Sequence, residues 1–238
     1  MKVLDLPCHP LDVRSGKWVD LSRKGNHGTP YGGARPYMIA PGVMGYWFDG
    51  SGGYVKVADS PSLDITNEIT VKGWMKFNPN VNSDQFFLRK WIYNSSSDNS
   101  GYFLRYSYFI ASDCHKFHFA VSNDQFVSVA SSVVEDGKWH FVVGTYDRSK
   151  LCIYVDGRRE DEGNASLAIG TNDTPLKIGL SGDGIVAEPG VCTRAWSEAE
   201  VRENMYRSPI YRMLRGLPHS MIYTKVPWKQ TQGGIYVP

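Results

Sequence analysis

The segment WIYNSSSDNSGY, from Trp91 to Tyr102, contains the residue types that bind sugars. Aromatic rings stack on the CH groups of a sugar, and Asn, Asp and Ser side chains hydrogen-bond its hydroxyls. Loops on a rigid scaffold are where such binding residues concentrate. The alternative is an ordinary hairpin loop whose terminal aromatic residues belong to the core. The candidate glycan-binding residues are Trp91, Tyr93, Asn94, Asp98 and Tyr102.

Residues that carry out catalysis are sparse in this chain. The densest acidic group, Glu160-Asp161-Glu162, lies beside Arg158 and Arg159 and is typical of a solvated turn. Hydrolysis of a glycosidic bond needs two carboxyl groups set across that bond, about 5 to 9.5 Å apart. No Ser-His-Asp or Gly-x-Ser-x-Gly pattern provides a nucleophile. The sequence therefore favours a protein without catalytic activity.

The histidines and cysteines show no metal-ligand spacing. His115 and His118 are three residues apart in a strand-like segment, so their side chains point to opposite faces. The N-terminal segment lacks an apolar signal core, so we expect a protein made in a cytosol, with free buried thiols. The cysteines are far apart and form no Cys-x-x-Cys pair: Cys8, Cys114, Cys152 and Cys192.

Short β-strands must position these residues. From Gly45 onward, runs rich in Val, Ile, Phe, Tyr and Trp alternate with Gly, Asn, Asp, Ser and Pro clusters, which predicts an antiparallel sandwich or barrel. The strongest pattern is Trp139–Gly157, two such runs joined by the turn at 147–150, which predicts a hairpin. Ile69–Phe77 alternates most clearly, so we expect one of its faces to be packed and the other solvated, with Trp74 as an exception that needs a packing partner.

The C-terminal part is predicted to be a helix followed by an arm. Ser-Glu-Ala-Glu at Ser197 is a capping box that begins a helix, and Pro209 ends it. Residues 207–238 contain four prolines among interleaved basic and apolar residues, which cannot form a core of their own. We predict an extended arm that docks on its own domain or on another subunit. Its apolar anchors are Tyr211, Leu214, Ile222, Tyr223 and Trp228.

The bulk composition allows one large domain and excludes several partners. The 238 residues are 42% hydrophobic and 13% aromatic, enough for a substantial core. The net charge of +2 is too mild to indicate nucleic acid, and the basic residues of the arm are too sparse for a phosphate-tracking groove. No run of about 18 apolar residues occurs, so we expect no transmembrane helix and no membrane partner.

Three segments occur in this order along the chain: Phe48–Phe77, Asp136–Arg158 and Arg194–Val201. Together they resemble the laminin-G-like, concanavalin A-like (pentraxin-like) jelly-roll family. The resemblance implies an all-β fold, an antiparallel two-sheet β-sandwich with one short helix. We expect this domain to span residues 1–206, with a loop-rich part at 1–44, and the arm to span residues 207–238. The upstream segment Val19–Gly33 is similar to a loop of the bacterial and phage branch of this family.

The resemblance also implies a calcium ion, which takes about six to eight oxygen ligands. The family pattern places one ligand at Asp49 and another near residue 187, where Glu188 is the acidic residue, and Asp183 lies close in sequence. Where the family has two further carboxylates, this chain has Gly53 and Ala187. The alternative is that Asp49 only caps a turn.

Relatives of this fold include polysaccharide hydrolases with a Glu-x-Asp-x-x-Glu motif and lyases with a Gln-x-His motif, and the chain lacks both motifs. The resemblance thus implies a non-catalytic binding or structural module. Our hypothesis is a phage virion component, such as a surface decoration, fibre or adhesion protein, that binds a glycan and docks its arm on a partner subunit. The alternatives are a polysaccharide hydrolase or lyase and a free carbohydrate-binding lectin.

Overall fold

The computed structural model describes residues 1–14, 16–92 and 100–217, and the backbone of two short strands beyond them. In chain order the strands are β1 (Lys2–Asp5), β2 (Val13–Arg14), β3 (Lys17–Trp18), β4 (Gly28–Tyr31), β5 (Arg35–Ala40), β6 (Val43–Asp49), β7 (Tyr54–Val57), β8 (Ile69–Phe77), β9 (Gln85–Ile92), β10 (Ser100–Phe109), β11 (Cys114–Asn123), β12 (Gln125–Val133), β13 (His140–Tyr146), β14 (Lys150–Val155), β15 (Arg158–Asn164), β16 (Leu176–Ile178), β17 (Asp183–Cys192), β18 (Lys229–Gln230) and β19 (Tyr236–Val237).

Two antiparallel sheets form a sandwich. One sheet has eight strands in the order β15-β14-β13-β8-β17-β6-β5, with β1 added beside β17. The other has nine strands in the order β12-β11-β10-β9-β16-β7-β4-β3-β2. Apolar side chains from the facing sides of both sheets make one large core. The predicted all-β, two-sheet jelly roll is confirmed.

Residues 1–44 are richer in strands than predicted. The segment supplies β1 to β5, because each of these short strands extends one of the sheets. Strand β1 pairs with β17, β4 pairs with β7, and β5 pairs with β6. A strand at a sheet edge, such as β2 or β5, pairs on one side only and needs few apolar residues. The polar composition of this segment therefore did not indicate its strands.

The predicted hairpin is present as β13 and β14, but the prediction of a solvated face on β8 was wrong. Ile69, Val71, Met75 and Phe77 of β8 face the sandwich core, as the alternation indicates. Trp74 on the other face is also buried, in a second apolar cluster. Residues of the C-terminal helices belong to this cluster, so they cover the outer side of the eight-stranded sheet.

The helical region departs from the prediction after its first helix. Helix α1 (Glu198–Arg207) begins with the predicted capping box at Ser197 and ends before Pro209. A second helix, α2 (Pro209–Leu214), follows at once, capped by the hydroxyl of Ser208. The first residues of the predicted extended arm are therefore helical. Among the described residues, no helix is long and apolar enough to cross a membrane.

His140 lies at the start of β13 between two carboxylates. Its Nδ1 is 2.8 Å from Asp156 Oδ2, and its Nε2 is 3.0 Å from Asp136 Oδ1. Burial of the ring lowers the pKa of His140, but the two carboxylates outweigh burial and hold that pKa above its usual value. Burial likewise raises the pKa of Asp136, yet hydrogen bonds from His140 and Lys138 bring it down to about 2.

We expect the free energy of unfolding to fall as the pH rises through the folded-state pKa of His140. That pKa lies above the value of about 6.5 in the unfolded chain, so the stabilisation is complete below pH ~6.5 and is lost above it. Urea unfolding at about pH 6 and about pH 8 measures the change. In His140→Gln the difference in the free energy of unfolding between the two pH values should shrink by up to about 1 kcal/mol. The change is small because the pairs of His140 with Asp136 and Asp156 are partly exposed. Equal pH dependence in both proteins would contradict this account.

Candidate functional site

The predicted glycan-binding residues do not form one site. Trp91 and Tyr102 lie on neighbouring strands, but the cross-strand partner of Trp91 is Gly101, so Tyr102 points to the opposite face. Tyr102 is buried in the sandwich core, where its hydroxyl donates a hydrogen bond to the Leu63 carbonyl at 3.1 Å. Tyr102 is thus a core residue and not a ligand-binding one. The other three candidates lie outside the described residues: Tyr93, Asn94 and Asp98.

Trp91 instead belongs to an aromatic group on the outer face of the nine-stranded sheet. The ring of Trp91 makes edge contacts with Phe103 at 5.1 Å and with Phe126 at 5.8 Å between centroids. Phe86 packs against Phe103 at 5.8 Å. Phe126, on β12, is 50% exposed. We call Phe86, Trp91, Phe103, His118 and Phe126 the outer aromatic cluster; its exposed ring is that of Phe126.

An arginine lies over the middle of this cluster and is held there from two sides. The Arg105 guanidinium is 4.7 Å from the centroid of the Phe103 ring. It pairs with Asp84, and its Nη2 lies 3.1 Å from Nδ1 of His118. Burial and the nearby Arg105 lower the pKa of His118 to about 4, so the ring is neutral and accepts this hydrogen bond at neutral pH. Arg105 is therefore a fixed cation on an aromatic surface.

A second arginine, Arg89, lies beside the first without such support. Its guanidinium is 5.0 Å from the centroid of the Phe86 ring, and no carboxylate of the described residues forms an ion pair with it. Burial lowers the pKa of Arg89. Burial also lowers the pKa of Arg105, and the charge of Arg89 adds to this effect. Two neighbouring cations over aromatic rings form a surface suited to planar or anionic groups.

Sequence reasoning missed most of this surface because its members come from four strands. The alternation in QFFLRKWI that places Arg89 and Trp91 on one face of β9 is the signal in the sequence. The two faces of β9 are offset by a bulge near Leu88, where its register with β10 shifts by one residue. A strict alternation would have put Phe86 and Arg89 on opposite faces.

Two of the three predicted calcium ligands lie next to each other. Asp49 and Asp183 are cross-strand partners at the ends of β6 and β17. Asp49 Oδ1 accepts hydrogen bonds from the Ser51 hydroxyl at 2.6 Å and the Ser51 amide at 3.0 Å, which lower the pKa of Asp49. Asp183 Oδ2 accepts one from Asn78 Nδ2 at 2.7 Å. The Asp49 carboxylate therefore caps its own turn, and the Asp183 carboxylate is held by Asn78, the residue after β8.

The third predicted ligand, Glu188, lies in a different part of the molecule, so its assignment to the calcium site was wrong. Glu188 lies in the bulge of β17 between Ala187 and Gly190, and its side chain points to the outer side of the eight-stranded sheet. There it is 3.3 Å from the Cys8 sulfur and accepts a hydrogen bond from the Ser208 hydroxyl at 2.6 Å. Burial, and then the Glu188 carboxylate, raise the pKa of the Cys8 thiol. The described residues contain no group of three acidic, histidine or cysteine side chains that fits a metal ion.

The described anchors of the predicted arm divide between the domain and solvent. Tyr211 is half-buried and packs on the apolar cluster of the eight-stranded sheet, next to the buried Ile210. Its ring contacts Tyr206 of α1 edge-on at 5.1 Å. Leu214 is about half exposed. The remaining predicted anchors lie outside the described residues: Ile222, Tyr223 and Trp228.

The sequence of this sandwich matches a known family. Residues 49–202, more than half of the chain, match a laminin-G model described as the concanavalin A-like lectin/glucanases superfamily. The chain belongs to the concanavalin A-like lectin/glucanase superfamily. The resemblance to the laminin-G-like, concanavalin A-like family is thereby confirmed, and its phage branch stays a prediction. No curated protein sequence matches the chain.

Solved structures with the same fold include the binding domains of bacterial toxins. The binding domain of Paraclostridial mosquitocidal protein 1 has a TM-score of 0.67 at 14% identity, over 87% of this chain and 52% of that chain. Botulinum neurotoxin type C depends on two ganglioside molecules to enter cells. Its structure has a TM-score of 0.65 at 16% identity, over 85% of this chain and 50% of that chain. The binding domain of botulinum neurotoxin DC, in complex with rat synaptotagmin II, has a TM-score of 0.64 at 14% identity, over 85% of this chain and 50% of that chain.

This concanavalin A-like chain spans about half the length of those toxin structures. At such low identity the similarity concerns the fold alone. This chain and the toxin structures share a two-sheet sandwich. A binding site on its surface must be argued from the side chains of each protein separately.

The superfamily also includes glucanases, so the acidic residues of β15 bear on catalysis. Glu160, Asp161 and Glu162 lie on an edge strand, and not in the turn that the sequence predicts. A bulge of β15 lies at Glu160, and Asp161 contacts strand β12, where its Oδ2 accepts a hydrogen bond from the Ala130 amide at 3.2 Å. Glu160 accepts a hydrogen bond from Ser132 at 2.5 Å, and Glu162 pairs with Lys150 at 2.9 Å. These contacts give the acidic residues a role in holding a sheet edge.

Proposed function

We propose that this chain is a non-catalytic module that binds glycans at the outer aromatic cluster. The observation that carries the proposal is the exposed Phe126 ring, which is backed by Trp91 and Phe103 and flanked by Arg105. A sugar ring stacks on such an exposed aromatic ring, and guanidinium groups hydrogen-bond its oxygens. The predicted glycan-binding loop, with Tyr93, Asn94 and Asp98, directly follows β9 and lies next to this surface in the sequence.

The toxin structures support this function at a coarse level. Two of them are binding domains, one of which is in complex with rat synaptotagmin II, and cell entry of the third protein depends on two ganglioside molecules. A sandwich of this type thus occurs in proteins that bind other molecules. In this chain we assign the binding role to the nine-stranded sheet, because its outer face carries both the exposed Phe126 ring and the two arginines, Arg89 and Arg105.

We further propose, from the resemblance to the phage branch, that the chain is a virion component with a decoration, fibre or adhesion role. It would be made in a cytosol, and the residues after α2 would dock on a partner subunit through Ile222, Tyr223 and Trp228. Mass spectrometry of purified particles from a phage that encodes the chain tests this assignment. A free lectin would be absent from the particles.

Phe126→Ala is expected to weaken glycan binding roughly tenfold, because it removes the exposed stacking ring. Tyr37→Ala is the matched control: Tyr37 is an aromatic residue of similar exposure, 43% against 50%, on β5 of the other sheet. The measurement is binding of wild type and both variants to an array of neutral and acidic glycans. Equal loss in both variants would refute the assignment of the site, and release of shorter products would favour a hydrolase or lyase.

A further inference from the structure

Three cations lie side by side in one cross-strand row on the nine-stranded sheet. Lys177 of β16 is the direct partner of Lys56 on β7 and also of Arg89 on β9. Direct partners place their Cβ atoms about 5 Å apart on the same face of the sheet. We call Lys56, Lys177 and Arg89 the cationic row. Like charges that are directly opposite each other destabilise a sheet, so this arrangement has a free-energy cost in the free protein.

No carboxylate of the described residues forms an ion pair with any member of the cationic row. All three side chains are partly buried, which limits their hydration. Tyr31 and Tyr54, beside the row, stack on each other with their ring centroids 5.5 Å apart. Each cation lies over an aromatic ring instead: Lys56 over Tyr31 at 5.7 Å, Lys177 over Tyr54 at 4.8 Å and Arg89 over Phe86 at 5.0 Å.

Nearby cations of the same sheet are neutralised. Arg105 pairs with Asp84, and Lys90, on the opposite face of β9, pairs with Asp59 at 2.6 Å. The cationic row differs from these two cations because it has no counter-charge among the described residues. A ligand with negative groups would supply that charge and relieve the repulsion within the row.

We infer that the cationic row binds the carboxylate or sulfate groups of an acidic oligosaccharide, an inference that rests on the proposed glycan-binding function. The row spans two strand spacings, about 10 Å, which is long enough to contact more than one sugar. It leads directly to the outer aromatic cluster, because Arg89 is the partner of Phe103. Sugar rings lie on the aromatic side chains, while their acidic groups face the row. Three cations in a chain of net charge +2 are too few to follow a nucleic-acid backbone.

The test uses the full chain and three probes: an oligogalacturonate, its carboxyl-reduced neutral form, and a single-stranded oligonucleotide. Lys56→Gln and Lys177→Gln should each weaken binding of the oligogalacturonate about tenfold, since each removes a charged hydrogen-bond donor. The matched control is Lys116→Gln, because Lys116 also lies over an aromatic ring, at 5.5 Å from Phe109, but outside the row. Binding of the neutral form should not change in any variant.

Thermal unfolding shows whether the variants fold, and removal of one charge from the row should raise Tm because repulsion decreases. If Lys56→Gln and Lys177→Gln bind the oligogalacturonate as tightly as wild type does, the inference is wrong, while retained binding of neutral glycans leaves the proposed function standing. If the oligonucleotide binds more tightly than the oligogalacturonate, the ligand is not a saccharide. If no glycan binds, both the inference and the proposed function fail.

Discussion

Lys90→Met is expected to lower the free energy of unfolding by about 3 kcal/mol. The Lys90 side chain is only 1% exposed, and its ammonium lies 2.6 Å from Asp59 Oδ1 and 3.2 Å from Asp64 Oδ1. It also donates hydrogen bonds to the carbonyls of Asn172 at 2.6 Å and Thr174 at 3.2 Å. One buried cation thus ties two loops to β9. Methionine keeps the length of the side chain but leaves these oxygens without their donor.

Urea unfolding of wild type and Lys90→Met measures the loss. Asp59 and Asp64 are partly exposed and become hydrated in the variant. The expected loss in the free energy of unfolding is therefore at the lower end of the range for broken buried ion pairs. Lys138→Met is the control, because the Lys138 side chain is 75% exposed and its pair with Asp136 is solvated. It should change the free energy of unfolding by less than about 0.5 kcal/mol. Similar losses in both variants would show that the buried ammonium has no special role.

Gly144→Ala is expected to destabilise the protein by about 1 to 3 kcal/mol. Gly144 lies in the middle of β13 and faces the other sheet, where a Cβ atom would come within 2.2 Å of the Phe119 ring. Phe119 is fully buried, so the ring has no room to move aside. The two sheets approach each other closely here because one position carries no side chain.

Chemical denaturation of three variants tests this account of Gly144. Gly163→Ala is the matched control, because its Cβ atom would make an ordinary contact with Val129 at 3.5 Å. That variant should be neutral or slightly more stable, since alanine reduces the freedom of the unfolded chain. Adding Phe119→Leu to Gly144→Ala should recover part of the lost stability. Unchanged stability of Gly144→Ala would contradict the close approach of the sheets at this point.

The fold was largely predictable because its elements have local patterns. The hairpin of β13 and β14 and the capping box at Ser197 each follow from adjacent residues. The segment that covers the face of a strand cannot be inferred from the residues next to that strand. The outer face of β8 is buried by helices more than a hundred residues later in the chain, so its alternation alone could not show that both faces are packed.

The site was harder to predict because it depends on strand order and register. Lys56, Lys177 and Arg89 are distant in sequence, and they become neighbours only because β16 inserts between β7 and β9. Trp91 and Tyr102 flank one loop, yet the register of β9 and β10 sends them to opposite faces. Each of these outcomes changes if one strand shifts by a single residue. No pattern within one strand contains that information.

The central claim is that ligands bind at the outer face of the nine-stranded sheet. Fluorine NMR of the chain labelled with fluorophenylalanine tests it most directly, because phenylalanines occur both on this face and in the sandwich core. On addition of the tightest-binding oligosaccharide of the glycan array, we expect the resonances of Phe86, Phe103 and Phe126 to shift, while those of the core residues Phe48 and Phe87 stay in place. Unshifted outer resonances in the presence of a bound oligosaccharide would contradict the claim.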